Sequence, residues 1–177
     1  MAAETQRRVP AWEAELSQQV ADLRSLGGSE SNRGAVWEVR CYDSLESTMD
    51  AAKCGDFLGV INPGHPGVVL AGQQRSGRGR QGRTWISADQ GVYVTFVFSL
   101  ESPVYSLSGY SLVVGTVVCA VLKSLGCEVG LKWPNDLLSI DGKKLCGILM
   151  EILKEGSNTY VLTGIGINLC LLAQSSL

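Results

Sequence analysis

The second half of the chain is dense in strand-like segments and lacks helices between them. β-Branched and aromatic residues fill VYVTFVFSL (92–100). Further strand-like runs follow at EVGLKW (128–133), LCGILMEIL (145–153) and SNTYVLTGIGINLC (157–170). A doubly wound parallel sheet needs a helix between successive strands. The pattern therefore predicts an α+β fold with a mixed, mainly antiparallel sheet and covering helices.

One long apolar segment predicts the main covering helix. LSGYSLVVGTVVCAVLKSLG (107–126) has few charges and ends at a glycine, which is typical of a buried helix. Earlier in the chain, VWEVRCY (36–42) and VVLAGQQ (68–74) predict strands. Ser47 or Thr48 is a suitable N-cap for a short helix between them.

We predict that residues 1–35 form a helical extension and a linker, which precede the main domain at 36–177. Trp12, Leu16, Val20 and Leu23 recur at helical intervals, and GGSESNRG (27–34) is polar and glycine-rich. The extension is too short for a three-helix DNA reader, so we expect no operator binding.

Charge and cysteine usage exclude several classes of protein. The 177 residues carry a formal net charge of −2, which argues against broad nucleic-acid binding. Six cysteines form no CxxC pair and several lie in apolar runs, as expected of buried thiols in a reducing compartment. We see neither a membrane span nor an apolar targeting segment, so the expected compartment is the cytoplasm.

Positive charge is concentrated in QQRSGRGRQGRTW (73–85), where arginines at 75, 78, 80 and 83 alternate with glycines. Glycines let a backbone approach an anion closely, and arginine forks suit phosphate or carboxylate groups. The segment therefore favours a nucleotide or an acyl phosphate, and the alternative is a solvated loop. No GxxxxGK[ST] motif is present, and GRGRQG lacks the strand–turn–helix setting of a dinucleotide fingerprint.

Three later motifs add candidate residues. In KWPNDLL (132–138), Asp136 could hold a hydrated Mg²⁺ bound to phosphates, although an ordinary Pro-Asn-Asp turn would look the same. Lys143 and Lys144 lie in a predicted hairpin turn, where lysines are commonly only solvated. The glycines of TGIGIN (163–168) leave one strand face bare for a ligand, or else mark a bulge.

In this order and spacing, GRGRQGRTW, KWPNDLL, GKKLCGILME and GIGIN resemble the biotin protein ligase (biotin–[acetyl-CoA-carboxylase] ligase) family. The resemblance implies the fold shared by biotin and lipoate transferases, which is similar to that of class II aminoacyl-tRNA synthetases. It also implies ATP-dependent formation of biotinyl-5′-AMP, followed by transfer of biotin to a lysine of a carboxylase's biotin carrier domain. Residues 36–177 would then be the catalytic domain, incomplete at its C-terminus.

The resemblance assigns roles to individual residues. Catalysis would rest on Arg80, Lys144 and Lys132. Biotin would be bound by Ser47, Thr48, Gln74, Gly79, Arg80 and Lys144. ATP would be bound by Arg78, Trp85, Lys132, Asn135, Gly147, Gly164, Gly166 and Asn168, and Mg²⁺ by Asp136.

Such a reaction agrees with the residue types present. Adenylation brings a carboxylate against a triphosphate, so catalysis consists of positioning and charge neutralisation and requires no enzyme nucleophile. A histidine-dependent triad would rest on His65 alone, which lies in a Pro/Gly turn.

The chain departs from the family pattern at Met49, Gly72 and Arg75, and it stops at Leu177, soon after GIGIN. Two alternatives therefore stay open: a lipoate or octanoate transferase of the same fold, and an inactive biotin-binding module. A homodimer formed through an exposed sheet edge is a further hypothesis.

Overall fold

A seven-stranded sheet organises the computed structural model, which describes residues 36–88, 91–100, 107 and 109–169. In chain order the elements are β1 (Glu38–Leu45), α1 (Thr48–Ala51), α2 (Gly55–Leu58), β2 (Gly67–Gln74), β3 (Gly77–Arg78), β4 (Thr84–Trp85), β5 (Gly91–Leu100), α3 (Tyr110–Ser124), β6 (Val129–Lys132), β7 (Asp136–Ser139), β8 (Lys144–Glu155) and β9 (Asn158–Asn168). Strands β3 and β4 form a separate two-stranded hairpin.

The strand order in the sheet is β1–β2–β5–β9–β8–β7–β6. Strands β1 and β2 are parallel, and every other neighbouring pair is antiparallel. Tight turns join the last strands, with Gly142 at φ +79° and Gly156 at φ +58°, where a side chain would be strained. The predicted mixed, mainly antiparallel sheet with covering helices is confirmed.

Helices α1 and α2 cover one face of the sheet, which we call the α1 face. Their Met49, Phe57 and Leu58 pack with Val97 of β5 and Leu162 of β9 in one buried cluster. Ser47 caps α1, its hydroxyl accepting a hydrogen bond of 3.3 Å from the Asp50 N–H. Because side chains alternate along a strand, Thr95, Gly164 and Gly166 share this face with Val97 and Leu162.

Helix α3 lies on the opposite face, which we call the α3 face. Its Cys119 and Leu122 form a second cluster with Val129, Leu137 and Ile148. Glycine at position 115 allows close packing, since a Cβ there would come within 2.8 Å of the Leu131 side chain.

The helix predicted for segment 107–126 is less buried than its composition indicates. Helix α3 buries only Gly115, Cys119 and Leu122, whereas Val113, Val117 and Val121 are 62%, 59% and 53% exposed. These valines are exposed because α3 packs over β6, β7 and β8 with one side only. In the described part of the chain no second helix covers its other side.

Cysteines fit the expected small buried groups only in part. Cys41, Cys119 and Cys146 are buried, but Cys54, which directly precedes α2, is exposed. Burial raises the pKa of the Cys146 thiol to about 12, so this group stays protonated. Within the described ranges no helix is long and apolar enough to cross a membrane. The predicted helix of residues 11–26 lies outside the described residues.

Candidate functional site

A cleft opens on the α1 face, between α1, the arginine loop (residues 75–83) and strands β8 and β9. The structure brings most of the predicted site residues to its lining: Ser47, Thr48, Gln74, Arg78, Gly79, Arg80, Trp85, Asn135, Lys144, Gly147, Gly164 and Gly166. These residues are distant in sequence, and the sheet register and the β3–β4 hairpin bring them together.

Trp85 lies flat on bare backbone at the floor of the cleft. Gly147 and Gly166 face each other across β8 and β9, and a Cβ at either would come within 2.7 Å of the Trp85 ring. The indole N–H of Trp85 is buried and finds no acceptor among the described residues. Because an unpaired buried donor is costly, this N–H is a group that a ligand oxygen could satisfy.

Three polar side chains form a hydrogen-bonded chain behind α1. The Thr95 hydroxyl donates to the Thr48 hydroxyl at 2.9 Å, which in turn donates to the Gln74 amide oxygen at 3.1 Å. The Thr48 backbone N–H donates to the same oxygen at 2.8 Å. The chain fixes the orientation of the Gln74 amide and engages its oxygen, so its NH₂ group is the one that can donate to a ligand.

Thr95 was not predicted as a site residue, although it is buried and lines the cleft. A threonine inside a run of β-branched and aromatic residues looks like an ordinary strand former. The only local signal was its alternation with Phe96 and Val94, which places it on the opposite face of β5 from those two apolar residues.

Lys144 contributes a positive charge at the start of β8. Its ammonium lies 2.8 Å from the Asp136 carboxylate and 5.4 Å from the centroid of the Trp85 ring. The ammonium is therefore attracted both by a carboxylate and by an aromatic face. Lys143, its neighbour, points elsewhere and pairs with Asp141 at 2.7 Å, in the turn before β8.

Arg80 connects the arginine loop to the turn between β6 and β7. Its guanidinium donates to the Asn135 amide oxygen at 3.0 Å, and the Asn135 amide nitrogen donates to the Ile148 carbonyl at 2.9 Å. Asn135 is thus held by β8 and presents its oxygen to the loop.

Arg78 has acidic partners at the rim of the cleft. It lies 2.6 Å from the Asp50 carboxylate and 3.6 Å from that of Glu151, and Glu151 also binds Lys53 at 2.6 Å. The hydrogen bond that Arg78 donates to the Asp50 carboxylate is the largest cause that raises the pKa of Arg78. These four residues, which we call the rim network, tie the loop to α1 and β8.

The stem of the arginine loop is anchored by Arg75, one of the residues that departs from the family pattern. Arg75 donates to the Glu46 carboxylate at 2.7 Å and to the Ser44 hydroxyl at 3.0 Å, and the Ser76 hydroxyl donates to Glu46 at 2.7 Å. The hydrogen bonds that Glu46 accepts from Ser76 and from Arg75 lower the pKa of Glu46, that of Ser76 foremost. Arg75 therefore holds the loop rather than facing the cleft.

Three predicted residues do not line the cleft. Lys132 is exposed on the edge strand β6, opposite Asp136 and on the same face of the sheet. Asp136 reaches the cleft only through its ion pair with Lys144. The Asn168 amide oxygen accepts from the Tyr93 hydroxyl at 3.1 Å and from the Ala88 N–H at 3.4 Å, so it holds the segment that follows Trp85.

A magnesium ion would find little protein ligation here. The described residues contain no group of three or more His, Cys, Asp or Glu side chains that could hold a metal. Asp136 offers a carboxylate next to Lys144 of the cleft, and Mg²⁺ commonly binds through one or two carboxylates together with substrate phosphates and water. The residues present therefore fit an ion that enters with a nucleotide, not one held by a protein cage.

A family model described as the biotin/lipoate A/B protein ligase family matches residues 42–168. The bifunctional ligase/repressor BirA of Salmonella typhimurium is 40% identical over 119 residues, which are 66% of this chain and 36% of the relative. A biotin–[acetyl-CoA-carboxylase] ligase of Mycobacterium tuberculosis is 35% identical over 161 residues, 83% of this chain and 55% of the relative. The chain thus spans 36% of the length of the first of these relatives.

Solved structures agree with the family match. A biotin acetyl coenzyme A carboxylase synthetase from Helicobacter pylori, with bound biotinylated ATP, superimposes with a TM-score of 0.60 at 28% identity, covering 74% of this chain and 60% of that one. A biotin protein ligase from Aquifex aeolicus, in complex with biotin and ATP, gives a TM-score of 0.58 at 30% identity, covering 74% and 52%.

Proposed function

The chain belongs to the biotin/lipoate A/B protein ligase family, and we propose that its cleft joins biotin to ATP and transfers biotin to a protein lysine. The observation that carries this proposal is the convergence of Arg80, Lys144, Trp85 and the Thr48–Gln74 pair on one cleft. Cations, an aromatic platform and oriented amide donors are the groups that an acyl-adenylate needs.

In the first step a carboxylate oxygen of biotin attacks the α-phosphorus of ATP. The bond from that phosphorus to the bridging oxygen breaks, and pyrophosphate leaves with the electron pair. The barrier arises from two anions that repel each other, so fixed positive charge in a site shielded from water lowers it. Lys144 and Arg80 are the proposed sources of that charge. Lys132, which lies on the same face of the sheet as Asp136, would contact the departing pyrophosphate.

In the second step the acceptor lysine supplies the nucleophile. Its neutral amine attacks the acyl carbon of biotinyl-5′-AMP, the bond from that carbon to the phosphate oxygen breaks, and AMP leaves. The amine proton passes to solvent. The enzyme's part is to hold the mixed anhydride and exclude water, and the arginine loop is the proposed cover.

Separate parts of the cleft would bind the two substrates. Ser47, Thr48 and Gln74 would contact the ureido end of biotin, with Gln74 oriented by its bond from Thr48. Trp85, lying on Gly147 and Gly166, would present its ring to the adenine. Gly164 and Asn135 would line the nucleotide side, and Gly79 and Arg78 would close over the product.

Magnesium would enter with ATP and help to neutralise its phosphates. Asp136 is its proposed carboxylate partner, and in that state Lys144 would exchange Asp136 for the negative charge of the substrates. The proposed acceptor is a biotin carrier domain of a carboxylase, because the Mycobacterium tuberculosis relative is named as an acetyl-CoA-carboxylase ligase.

The test is ATP–pyrophosphate exchange by the 177-residue chain with biotin, lipoate or octanoate as the only acid. We expect exchange that depends on biotin and Mg²⁺. Exchange that occurs with lipoate or octanoate but not with biotin would assign the chain to the other branch of its family. Binding of biotin without any exchange would identify a binding module that does not adenylate.

A further inference from the structure

An apolar groove runs along the α3 face, on the side of α3 opposite to β6. Its floor is formed by Val94, Phe96 and Phe98 of β5 together with Ile165 and Ile167 of β9. One wall is the valine stripe of α3, Val113, Val117 and Val121, each more than half exposed. A continuous groove lined by apolar side chains commonly marks a contact site.

The chain enters the described structure at this groove. Trp37 precedes β1 and lines the groove, with its ring edge-on to Phe96 at 6.2 Å and to Phe98 at 5.7 Å between centroids. Residues 1–35 are therefore joined to the described structure beside the groove.

The sequence just before this point has the pattern that the groove requires. In residues 11–26, Trp12, Leu16, Val20 and Leu23 recur at helical spacing, and polar or charged residues occupy most positions between them. At 1.5 Å per residue this stripe would be about 17 Å long, against about 12 Å for the stripe from Val113 to Val121. The fourteen residues from Leu23 to Trp37 can span up to about 46 Å, which is ample for a return over the sheet.

We propose that residues 11–26 form an amphipathic helix that packs into this groove, beside α3. The helix would bury its apolar stripe against the α3 valines and the β5 phenylalanines, and complete the second layer on that face. The N-terminal extension is then an integral part of the domain at 36–177 and not a separate module.

Two other occupants fit the groove less well. Residues 170–177 directly follow β9 in the sequence, but with apolar side chains at Cys170, Leu171, Leu172, Ala173 and Leu177 this segment is only half as long as residues 11–26. A second copy of the chain would have to place its own groove or its own residues 11–26 there. Each of these occupants gives a distinct outcome in the experiment below.

Photo-crosslinking in the full chain tests the proposal. A p-benzoylphenylalanine placed at Val117 should crosslink to residues 11–26 of the same chain, giving a product of monomer mass whose site is read by peptide mass spectrometry. The same group placed at Thr116, exposed on α3 but not lining the groove, should give no such product. Crosslinks to residues 170–177, crosslinks of dimer mass, or none at all would each overturn the proposal.

Variants of the N-terminal segment provide the matched controls. Leu16→Glu combined with Val20→Glu should abolish the crosslink from position 117 and increase the fluorescence of bis-ANS, which binds exposed apolar surface. Gln18→Glu adds the same type of charge on the opposite side of the predicted helix and should leave both readings unchanged. Loss of the crosslink in Gln18→Glu, or its persistence in the double variant, would contradict the proposed packing.

Discussion

The Lys144 ammonium contacts a carboxylate and an aromatic ring, and it lies where the proposed substrates would bind. It pairs with Asp136 at 2.8 Å and lies over Trp85. We predict that Lys144→Ala lowers the rate of biotin-dependent ATP–pyrophosphate exchange by about 10²–10³-fold, the usual cost of losing one group that stabilises transition-state charge. Thermal unfolding should change little, because the side chain is exposed.

Lys143→Ala is the matched control for this change. Lys143 is the adjacent residue, carries the same charge and pairs with Asp141 away from the cleft. Exchange by Lys143→Ala should stay near the wild-type rate. Equal losses in the two variants would mean that general charge, and not the position of Lys144, supports the reaction.

Arg80 is the loop residue whose removal should release the intermediate. Its bond to Asn135 at 3.0 Å ties the loop to the turn before β7. We predict that Arg80→Gly forms biotinyl-5′-AMP more slowly, with Lys144 still in place, but lets it escape, so that lysines of an unrelated bystander protein become biotinylated. Streptavidin blotting of the bystander measures this. Arg83→Gly, which removes an exposed arginine of the same loop, should leave the bystander protein unlabelled. Retention of the intermediate by Arg80→Gly would rule out the shielding role.

Individual residues differed in how far their sequence context could predict their surroundings. Arg80 lies in a motif whose glycines and charges already favour an anion site. Lys144 lies in a predicted turn where lysines are commonly solvated, and only the family resemblance assigned it to the site; both residues line the cleft. Thr95 gave no such signal because its importance comes from a bond to Thr48, which is distant in sequence. Arg75 looked like part of the anion loop, yet its guanidinium binds Glu46, a contact that depends on how β1 and β2 lie side by side.

The paired glycines of β8 and β9 should be sensitive to any side chain. A Cβ at Gly166 would come within 2.7 Å of the Trp85 ring, so the ring must move. We predict that Gly166→Ala lowers the free energy of unfolding by about 1–3 kcal/mol, as overpacking commonly does, and shifts the tryptophan fluorescence. Gly130→Ala in β6, where a Cβ meets nothing within 4 Å, should change stability by less than about 0.5 kcal/mol. Equal effects would show that Trp85 does not rest on β9.

The rim network should hold the arginine loop against β8. Glu151 binds both Lys53 and Arg78, and its side chain is 28% exposed. A partly exposed pair of this kind contributes about 1 kcal/mol at most, so Glu151→Gln should speed the first tryptic cut in the loop roughly fivefold. Glu155→Gln, near the exposed end of β8, is the control. An unchanged cutting rate in Glu151→Gln would mean that the loop is held by other contacts.

The secondary-structure elements themselves were largely predictable because their signals are local. The β-branched run at 92–100 became β5, and the Asp-Gly pair at 141–142 became the turn before β8. The sequence could not predict which elements cover each face of the sheet. An apolar helix such as α3 looks buried from its composition alone, and its exposed valines depend on which other elements share its face of the sheet.

Each face of the sheet carries a buried cluster, but the two faces differ in the surface features beside it. The α1 face carries the cleft, the arginine loop and the rim network, whereas the α3 face carries the second core and the apolar groove. Strands β1 and β6 are the edges of the sheet, so the hypothesis of a homodimer through an edge concerns one of these two strands. The order of the motifs indicated the family, but the sheet register and the β3–β4 hairpin show how the motifs converge.

The most direct test of the central claim is a crystal structure of the chain with a non-hydrolysable analogue of biotinyl-5′-AMP. We predict that the analogue occupies the cleft with its phosphate-mimicking group within hydrogen-bonding distance of both Arg80 and Lys144, its bicyclic ring beside Gln74 and its adenine on Trp85. Electron density for the analogue elsewhere, or in the cleft but in contact with neither Arg80 nor Lys144, would contradict the account.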